Sequence, residues 1–342
     1  GMEYPMICFN YGRPEEDGTY TERLKYGVIS VIIHEVGHNF FPMIVNSDER
    51  QWTWMDEGLN TFLQYLAEME WDVDYPSRRG PAYKIVDYMK GDKSNSTPIM
   101  TNSESIFQFG NNAYGKPATA LNILRETIIG RENFDYAFKQ YSQSWKFKHP
   151  TPADFFRSME DASGTDLDWF WRGWFFSTDH VDIAIDEVKY LHLDTKNPDV
   201  ENALIRKEEE NNEDFIGDLR NESLRNKTVV EIDPSTKDFY NSYDPLDVNS
   251  IDRKEYQEYL ESLDKDDLVL LENKSHWYEV RFSSPGGLVM PIIVEFRFKD
   301  GSKEKLYIPA EIWRYNNDKV SKLFSFSKEV EEIVLDPNLE TA

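Results

Sequence analysis

Two histidines and two glutamates near the beginning of the chain have the types and spacing of a metal site. His34 and His38 stand four positions apart in His34-Glu35-Val36-Gly37-His38, so on a helix both imidazoles lie on one face and can reach one ion. Glu57 follows, with eighteen residues between it and His38, and can supply a third ligand. Glu35 can take a proton from a water molecule beside the metal. This combination is typical of a zinc peptidase.

Helical periodicity supports this interpretation. From Glu22 to Phe41 apolar residues recur at helical spacing and Pro42 ends the pattern, and a second helix is predicted from about Asp56 to Trp71. If the two histidines were ordinary core residues, both rings would need hydrogen-bond partners inside an apolar helix. Metal coordination satisfies both. The first 180 residues are predicted to be mostly helical, with further helices over 82–89, 115–129, 134–144, 152–159 and 167–176.

Strands are predicted near the beginning of the chain, near its middle and in its last part. A short strand is expected over residues 6–11 and another over 181–185, and a polar segment containing one helix near 253–263 follows. We predict an α+β multidomain chain with a catalytic domain at 1–190, a polar acidic insertion or linker at 191–275, and a small antiparallel β-domain at 276–342. The strands expected in the last domain are 278–282, 294–298, 305–308, 311–315, 323–326 and 332–335.

Composition limits the partners. The formal net charge of -25 disfavours binding to nucleic acid or to anionic lipid, and no apolar run reaches the length of a membrane span. The acidic, aromatic-rich composition favours export to a periplasm or secretion, although the compartment stays open. The pair Arg78-Arg79 is isolated in an acidic chain, and we interpret it as solvated surface.

Several motifs resemble those of the gluzincin aminopeptidases of the aminopeptidase N family. The two histidines followed by Glu57 within Trp54-Met55-Asp56-Glu57-Gly58 match the zinc-binding pattern of that family. Gly1-Met2-Glu3 resembles the end of its Gly-x-Met-Glu-Asn exopeptidase motif, with Tyr4 in place of Asn. The segment 112–117, Asn-Ala-Tyr-Gly-Lys-Pro, resembles the family segment whose tyrosine faces the zinc. The resemblance covers roughly residues 1–185.

The resemblance implies a role for each of these residues. His34, His38 and Glu57 would bind one Zn²⁺ per chain, and Glu35 would act as general base toward the zinc-activated water. Tyr114 would donate a hydrogen bond to the oxyanion of the tetrahedral intermediate. Glu3 would bind the free α-ammonium group of a peptide substrate, and Gly1 would let the substrate backbone come close.

The resemblance also implies an architecture, and it leaves alternatives open. A thermolysin-like, mostly helical catalytic domain would be followed by a small antiparallel β-sandwich-like domain. The family places a large β-domain before the exopeptidase motif, and this chain does not contain it. We therefore expect zinc binding to be retained better than turnover, with weak activity in this chain. The alternatives to an aminopeptidase are a zinc endopeptidase and a catalytically silent peptide-binding module on a peptidase fold.

Overall fold

The computed structural model describes residues 1–224 and 227–342 and divides into two compact units. Helices and antiparallel strands occur together, so the predicted mixture of α and β structure is confirmed at this level. The three-domain division stays a prediction, and residues 225 and 226 of the predicted polar segment lie outside the described residues. The first unit contains residues 1–189, 279–324 and 328–342, and the second contains residues 190–278 and 325–327.

The chain begins with a small hairpin. Strand β1 (Met2–Tyr4) pairs antiparallel with β2 (Ile7–Phe9), and Glu3 lies opposite Cys8. The predicted strand over residues 6–11 is therefore wrong in extent, and β1 was not predicted. The reason is local, because Met6 has a φ of 64° and so occupies the turn instead of a strand.

Two helical segments carry the predicted metal ligands. Helix α1 (Glu22–Gly37) begins at Thr21, whose side chain accepts a hydrogen bond from the backbone nitrogen of Leu24. It ends before the predicted Phe41, and the following residues form turns. The second segment starts with a π-helical turn, Trp54–Gly58, and continues as α2 (Leu59–Trp71). Because Gly37 has no side chain, α1 approaches α2 closely; a Cβ there would lie 2.2 Å from Asn60 Oδ1.

The remaining helices of the first unit follow the predicted pattern with interruptions. The helix predicted over 82–89 is a 3₁₀ turn, Ala82–Ile85, followed by a short α-helix. The helix predicted over 115–129 is a shorter α-helix with a π-helical turn before it, Gly110–Gly115, and another after it, Leu124–Ile128. The α-helices are α3 (Val86–Lys90), α4 (Lys116–Ile123), α5 (Arg131–Trp145), α6 (Pro152–Ser163) and α7 (Asp168–Phe176).

Aromatic side chains fill the core beneath these helices. Trp54 is fully buried and its ring stacks on that of Phe156, with centroids 5.8 Å apart. The Trp54 ring also makes edge contacts with Phe155 and Phe175. Each large ring removes a substantial apolar area from water, so this cluster anchors the turn that carries Glu57. Packing of this aromatic cluster thus holds in place the segment that carries Glu57, the third predicted ligand.

The last third of the chain contains two three-stranded sheets. One has the order β3-β4-β7, and the other, with antiparallel pairing on both sides of its central strand, has the order β6-β5-β8. The strands are β3 (Ala184–Leu191), β4 (His276–Ser283), β5 (Ile292–Phe298), β6 (Lys303–Ile308), β7 (Lys319–Phe326) and β8 (Val330–Leu335). Strand β3 begins three residues later than predicted and runs farther.

The strand predicted over residues 311–315 is wrong. Residues Ala310–Trp313 form a 3₁₀ turn after Pro309. The Trp313 side chain is buried, and its Nε1–H donates to the backbone oxygen of Met290 at 2.9 Å. A buried indole needs such a partner, and the turn supplies the geometry for it.

The polar segment is more helical than the single helix predicted there. Its helices are α8 (Pro198–Glu210), α9 (Ile216–Leu224), α10 (Val229–Ile232), α11 (Ser250–Ser262) and α12 (Lys265–Leu271). Neither α8 nor α11 has a fully buried residue. Capping explains much of this structure, since Asn249 accepts from the backbone nitrogens of Ile251 and Asp252 at the start of α11. Among residues 1–224 and 227–342, no helix combines the length and the apolar character needed to cross a bilayer.

Candidate metal centre and active site

The predicted site residues line one open cleft of the first unit. The cleft has a volume of about 910 Å³ and receives side chains from β1, α1, α2 and the two π-helical turns at 54–58 and 110–115. Gly1, Glu3, His34, Glu35, Glu57 and Tyr114 all line it. His38 lies directly beneath, fully buried. The structure therefore brings together all seven residues that the sequence singled out.

Three ligand-type atoms meet at the bottom of the cleft. His34 Nε2 lies 3.1 Å from His38 Nε2 and 3.0 Å from Glu57 Oε2, and His38 Nε2 lies 3.4 Å from the same carboxylate oxygen. For an ion bound tetrahedrally at zinc–ligand distances of about 2.0–2.1 Å, the ligand atoms stand about 3.3 Å apart. The measured triangle therefore has the size that a tetrahedral zinc site requires.

The other nitrogen of each imidazole indicates which form of the ring is present. His38 Nδ1 lies 2.9 Å from the backbone oxygen of Phe41, which can only accept, so we place the ring proton on Nδ1. His34 Nδ1 lies 2.9 Å from Gln64 Oε1, and Gln64 Nε2–H donates to Glu68 Oε1 at 2.7 Å. The amide is thus oriented with its oxygen toward His34. Both Nε2 atoms then present lone pairs to each other and to Glu57.

Such an arrangement is repulsive unless a positive charge lies between the atoms, and either a bound metal ion or, in the protein without metal, a second proton on His38 provides it. Metal-binding histidines characteristically donate their second ring N–H to a carbonyl or carboxylate, as both rings do here. Asp56 adds a carboxylate oxygen 2.9 Å from His38 Nδ1. The donor set of His34, His38 and Glu57 therefore fits zinc, with all three ligand atoms within 4.8 Å of one another.

The electrostatics of the protein without metal lead to the same conclusion. Burial alone lowers the pKa of His38, but contacts with Asp56 and Glu57 outweigh it and raise the pKa to about 10. Burial on its own would raise the pKa of Glu57, yet contacts with the two imidazoles and the Tyr114 hydroxyl lower the pKa to about 2. Burial raises the pKa of Asp56 to about 7. The cluster thus favours a cation among its members.

Glu35 lines the cleft and is nearly buried. Its side chain is only 4% exposed, and its Oε2 has no hydrogen-bond partner within residues 1–224 and 227–342. Its other oxygen, Oε1, lies 3.3 Å from the backbone nitrogen of Gly1. A Cβ on Gly1 would come within 2.7 Å of the Glu35 carboxylate, so glycine permits this close approach. An oxygen that is buried and unpartnered beside a metal-type cluster is available to a water molecule or a substrate.

Glu3 reaches the cluster from strand β1. Its Oε2 lies 4.0 Å from His38 Nε2, and burial raises the pKa of its carboxyl group. Glu3 therefore belongs to the same acidic surroundings as Glu57 and Glu35, whose charges raise its pKa further. Pairing of β1 with β2 fixes its backbone, since Glu3 lies opposite Cys8 in the hairpin.

Tyr114 contacts two members of the cluster, His34 and Glu57. Its hydroxyl donates to Glu57 Oε1 at 2.5 Å, and its ring stacks on His34 with centroids 5.8 Å apart. Burial and the charge of Glu57 raise the pKa of the Tyr114 hydroxyl, so it remains a proton donor at neutral pH. Gly58 makes room for this segment; a Cβ there would lie 2.6 Å from Pro117 Cγ.

Sequence reasoning missed three residues of the cleft. Gln64 accepts a hydrogen bond from His34, and Glu68 in turn accepts one from Gln64. The two residues follow Glu57 by seven and eleven positions, so the helical spacing in the sequence could have indicated that they lie on the same face as Glu57. Arg79 was interpreted as solvated surface, and this is wrong. It is partly buried, it lines the cleft, and its guanidinium carbon lies 4.6 Å from the centre of the Tyr114 ring.

Fold and site together place a group of candidate metal ligands on two adjacent helical segments. Residues 14–174 match the model of the "Peptidase family M1 domain", so this region is similar to the M1 family, in agreement with the motifs that resemble the gluzincin aminopeptidases. The predicted family is thereby confirmed. The family is one of zinc metallopeptidases, in agreement with the ligand set described above.

Individual relatives agree with this assignment. The chain is similar to glutamyl aminopeptidase of Bos taurus, 28% identical over 173 residues, which cover 49% of this chain and 18% of the relative. It is 30% identical over 142 residues to glutamyl aminopeptidase of Homo sapiens, covering 40% of this chain and 15% of the relative. For "Probable aminopeptidase 2" of Sulfurisphaera tokodaii the identity is 26% over 164 residues, covering 46% of this chain and 21% of the relative. The matched part is about a fifth or less of each relative's length.

A solved structure supports the fold. The crystal structure of Legionella pneumophila aminopeptidase A in complex with aspartic acid matches 94% of this chain and 27% of its own, with a TM-score of 0.50 and 13% sequence identity. The similarity therefore extends beyond the helical region to the strands that follow it. At this level of identity it supports the fold alone.

Proposed function

We propose that this chain is a zinc-dependent aminopeptidase that binds one Zn²⁺ through His34, His38 and Glu57. The observation that carries the proposal is the triangle of lone-pair-bearing atoms, 3.0, 3.1 and 3.4 Å apart, beside a buried carboxylate with an unpartnered oxygen. When bound, zinc supplies a Lewis acid that lowers the pKa of water from 15.7 to about 7. Similarity to the M1 family supports this choice of metal.

Glu35 would act as the general base. Its unpartnered Oε2 can accept a proton from the attacking water, and Glu35 can then deliver that proton to the leaving amine. Because the side chain is almost fully buried, bulk water does not compete for this oxygen. General base catalysis of this kind contributes about 10²- to 10⁴-fold to the rate.

Tyr114 would stabilise the developing oxyanion. Its hydroxyl now donates to Glu57 Oε1, and a rotation about the ring axis suffices to redirect the proton toward a substrate oxygen. The raised pKa keeps the proton on the hydroxyl at neutral pH. Loss of one such donor lowers kcat by about 10²- to 10³-fold.

Glu3 would select for a free amino terminus. An acidic side chain that enters the cleft beside the proposed metal ligands is placed to bind the α-ammonium group of the first substrate residue. Gly1, which has no side chain, would let the substrate backbone pass close to Glu35. This feature favours an aminopeptidase over an endopeptidase.

The proposal includes the finer architecture. We propose a thermolysin-like catalytic domain at 1–190 and a small antiparallel β-sandwich-like domain at 276–342, with residues 191–275 as a polar insertion or linker between them. The helical content of the first region and the sheet order β6-β5-β8 in the last support this division.

The test combines one substitution with two peptides. Glu35→Gln should retain about one zinc per chain by elemental analysis and lose at least 10²-fold in kcat on an unblocked peptide, whereas Glu132→Gln, an exposed change of the same kind, should keep full activity. A chelator should abolish hydrolysis, and added Zn²⁺ should restore it. Unchanged hydrolysis by the Glu35→Gln variant would refute the mechanism.

The second peptide distinguishes the alternatives. An aminopeptidase should cleave the free peptide and ignore its N-acetylated twin, and Glu3→Gln should weaken binding of the free peptide only. Equal cleavage of both peptides would indicate an endopeptidase. Stoichiometric zinc together with peptide binding, but without hydrolysis of either peptide, would indicate a silent peptide-binding module.

A further inference from the structure

Arg79 lies in the wall of the cleft, beyond Tyr114 as seen from His34. Its guanidinium carbon stands 4.6 Å from the centre of the Tyr114 ring, which also contacts the imidazole of His34 and the ring of Phe109. Gly110 lies next to the guanidinium, and a Cβ there would make an ordinary contact of 3.6 Å with Arg79 Nη2. Stacking on the ring orients the planar fork while its N–H groups stay available.

Among the described residues this guanidinium has no hydrogen-bonded anionic partner, although the charge of Glu57 acts on it from a distance. Within residues 1–224 and 227–342, no carboxylate, carbonyl or hydroxyl oxygen accepts a hydrogen bond from Arg79, and it forms no ion pair. By contrast, Arg50 on the same cleft pairs with Glu104, and Arg125 forms two hydrogen bonds with Asp135. Burial lowers the pKa of Arg79, which reflects the cost of holding the charge there. In a chain of net charge -25, acidic partners are abundant, so the lack of one here is informative.

The neighbouring arginines differ in this respect. Arg23 and Arg78 also line the cleft, but both are exposed and therefore solvated. Among the cleft arginines in the part of the chain that the structure describes, only Arg79 combines partial burial, a stacked orientation and free donors. A half-buried guanidinium with five donors is best satisfied by a planar, bidentate acceptor, and carboxylate has that shape.

The position of Arg79 along the cleft indicates which part of a peptide would supply the carboxylate. Glu3 contacts His38, at 4.0 Å, whereas Tyr114 contacts His34 and Glu57. A peptide whose amino group lies at Glu3 and whose first carbonyl lies at the ligand cluster continues past Tyr114. Arg79 therefore lies beside the residue that follows the bond to be cleaved.

We infer that Arg79 binds a carboxylate on the second residue of the substrate and so makes this chain selective for peptides that carry one there. The inference rests on the proposed function, because the direction of the peptide follows from Glu3. Two sources share this chemistry. One is the α-carboxylate of a dipeptide, and the other is the side chain of Asp or Glu in a longer peptide.

Four short substrates separate the two sources. Leu-Ala and Leu-Ala-amide differ only in the α-carboxylate, and Leu-Glu-amide and Leu-Gln-amide differ only in the side-chain carboxylate. For the unmodified chain, kcat/KM should be about 10- to 100-fold higher for the carboxylate member of at least one pair, as expected for a charge-assisted bidentate hydrogen bond. The pair that shows the preference identifies the source.

The variants assign that preference to a residue. Arg79→Gln should abolish the preference, so that kcat/KM becomes equal within about threefold for the two members of each pair. Arg79→Lys should retain part of the preference because the charge remains but the fork does not. Arg78→Gln, the matched control, should keep the full preference. An unchanged preference in Arg79→Gln, or an equal loss in Arg78→Gln, would overturn the inference. Circular dichroism confirms that each variant is folded.

A binding measurement separates this inference from the proposed function. If the chain hydrolyses none of the four peptides, the proposed function fails, and calorimetry with the zinc-loaded Glu35→Gln variant still tests Arg79. The carboxylate peptides should then bind about 10- to 100-fold more tightly than their amides, and the added Arg79→Gln change should remove the difference. Equal affinities for the members of both pairs, with Arg79 intact, would refute the inference on its own.

Discussion

The hydrogen bond between Gln64 and His34 offers a direct test of how the ligand set is held. Gln64 Oε1 accepts from His34 Nδ1 at 2.9 Å, and its amide group is held in turn by Glu68 at 2.7 Å. Gln64→Leu keeps a side chain of similar size but removes both contacts. The His34 ring then loses the acceptor that keeps its proton on Nδ1 and its Nε2 lone pair toward the metal.

The expected loss of zinc affinity follows from the contacts that Gln64 makes with His34 and Glu68. Replacement of a hydrogen-bond partner behind a metal-binding histidine typically costs 10- to 100-fold in metal affinity, or about 1.4 to 2.7 kcal/mol. Glu68 keeps hydrogen bonds from Ser30 at 2.7 Å and Ser77 at 2.5 Å, so it is not left unpaired. We therefore expect the protein without metal to lose about 1 kcal/mol of unfolding free energy, a smaller effect than that on zinc binding.

Competition with a fluorescent chelator measures the zinc Kd, and urea unfolding of the metal-free protein measures its stability. The control is Gln143→Leu, which makes the same change on the exposed surface of α5, where the Gln143 side chain accepts a 3.3 Å hydrogen bond from Lys146. The control should not change the zinc Kd. If Gln64→Leu also leaves the zinc Kd unchanged while the protein is folded, then either Gln64 does not orient His34 or His34 is not a ligand.

Two further predictions concern the support of the site. Lys116 is 1% exposed with its Nζ donating to the Ser177 backbone oxygen at 3.2 Å, and burial lowers its pKa from 10.5 to about 8. Between pH 8 and 10.5 the folded protein therefore releases this proton while the unfolded chain keeps it. As the pH rises through that window, the unfolding free energy of the unmodified protein should increase by about 3 kcal/mol relative to that of the Lys116→Met variant. Urea unfolding at pH 7 and pH 10.5 measures the difference between the two proteins, and a difference independent of pH would contradict the burial argument. Gly58→Ala would place a Cβ 2.6 Å from Pro117 Cγ, so chemical unfolding should show a loss of about 1–3 kcal/mol in unfolding free energy. In the control Gly173→Ala, the nearest side-chain atom to the new Cβ is 3.5 Å away, and the loss should be less than about 1 kcal/mol. Equal stabilities of the two alanine variants would refute the packing argument at Gly58.

The ligands could be predicted from the sequence because their signal is local. His34 and His38 share a helix, and a spacing of four determines that they lie on one face whatever surrounds them. Glu57 needed one tertiary assumption, that the next helical segment packs against the first. The close approach of α1 and α2 at Gly37 and Asn60 satisfies it. Most helices were predictable for the same reason, since periodicity reports the buried face.

Other features depend on contacts between distant residues and could not be predicted. The strand expected over 311–315 has a suitable alternation, but burial of Trp313 and its hydrogen bond to Met290 favour a 3₁₀ turn. From the sequence, Arg79 is predicted to be exposed to solvent because pairs of basic residues usually are. Its partial burial arises only because the segment after α2 returns to Tyr114, which is 35 positions farther along the chain. A single sequence carries no signal for that approach.

The distribution of charge connects the metal site to Arg79. Four carboxyl groups, those of Glu3, Glu35, Asp56 and Glu57, surround the two imidazoles, and such a concentration suits cations, whether a metal ion or the ammonium group of a peptide. The same field repels any carboxylate that a substrate carries near the cleaved bond. A cleft built only from these groups would therefore discriminate against dipeptides and acidic peptides. An unpaired guanidinium next to Tyr114 offsets that repulsion at one place, and its effect should be strongest at low ionic strength, where the acidic field is least screened.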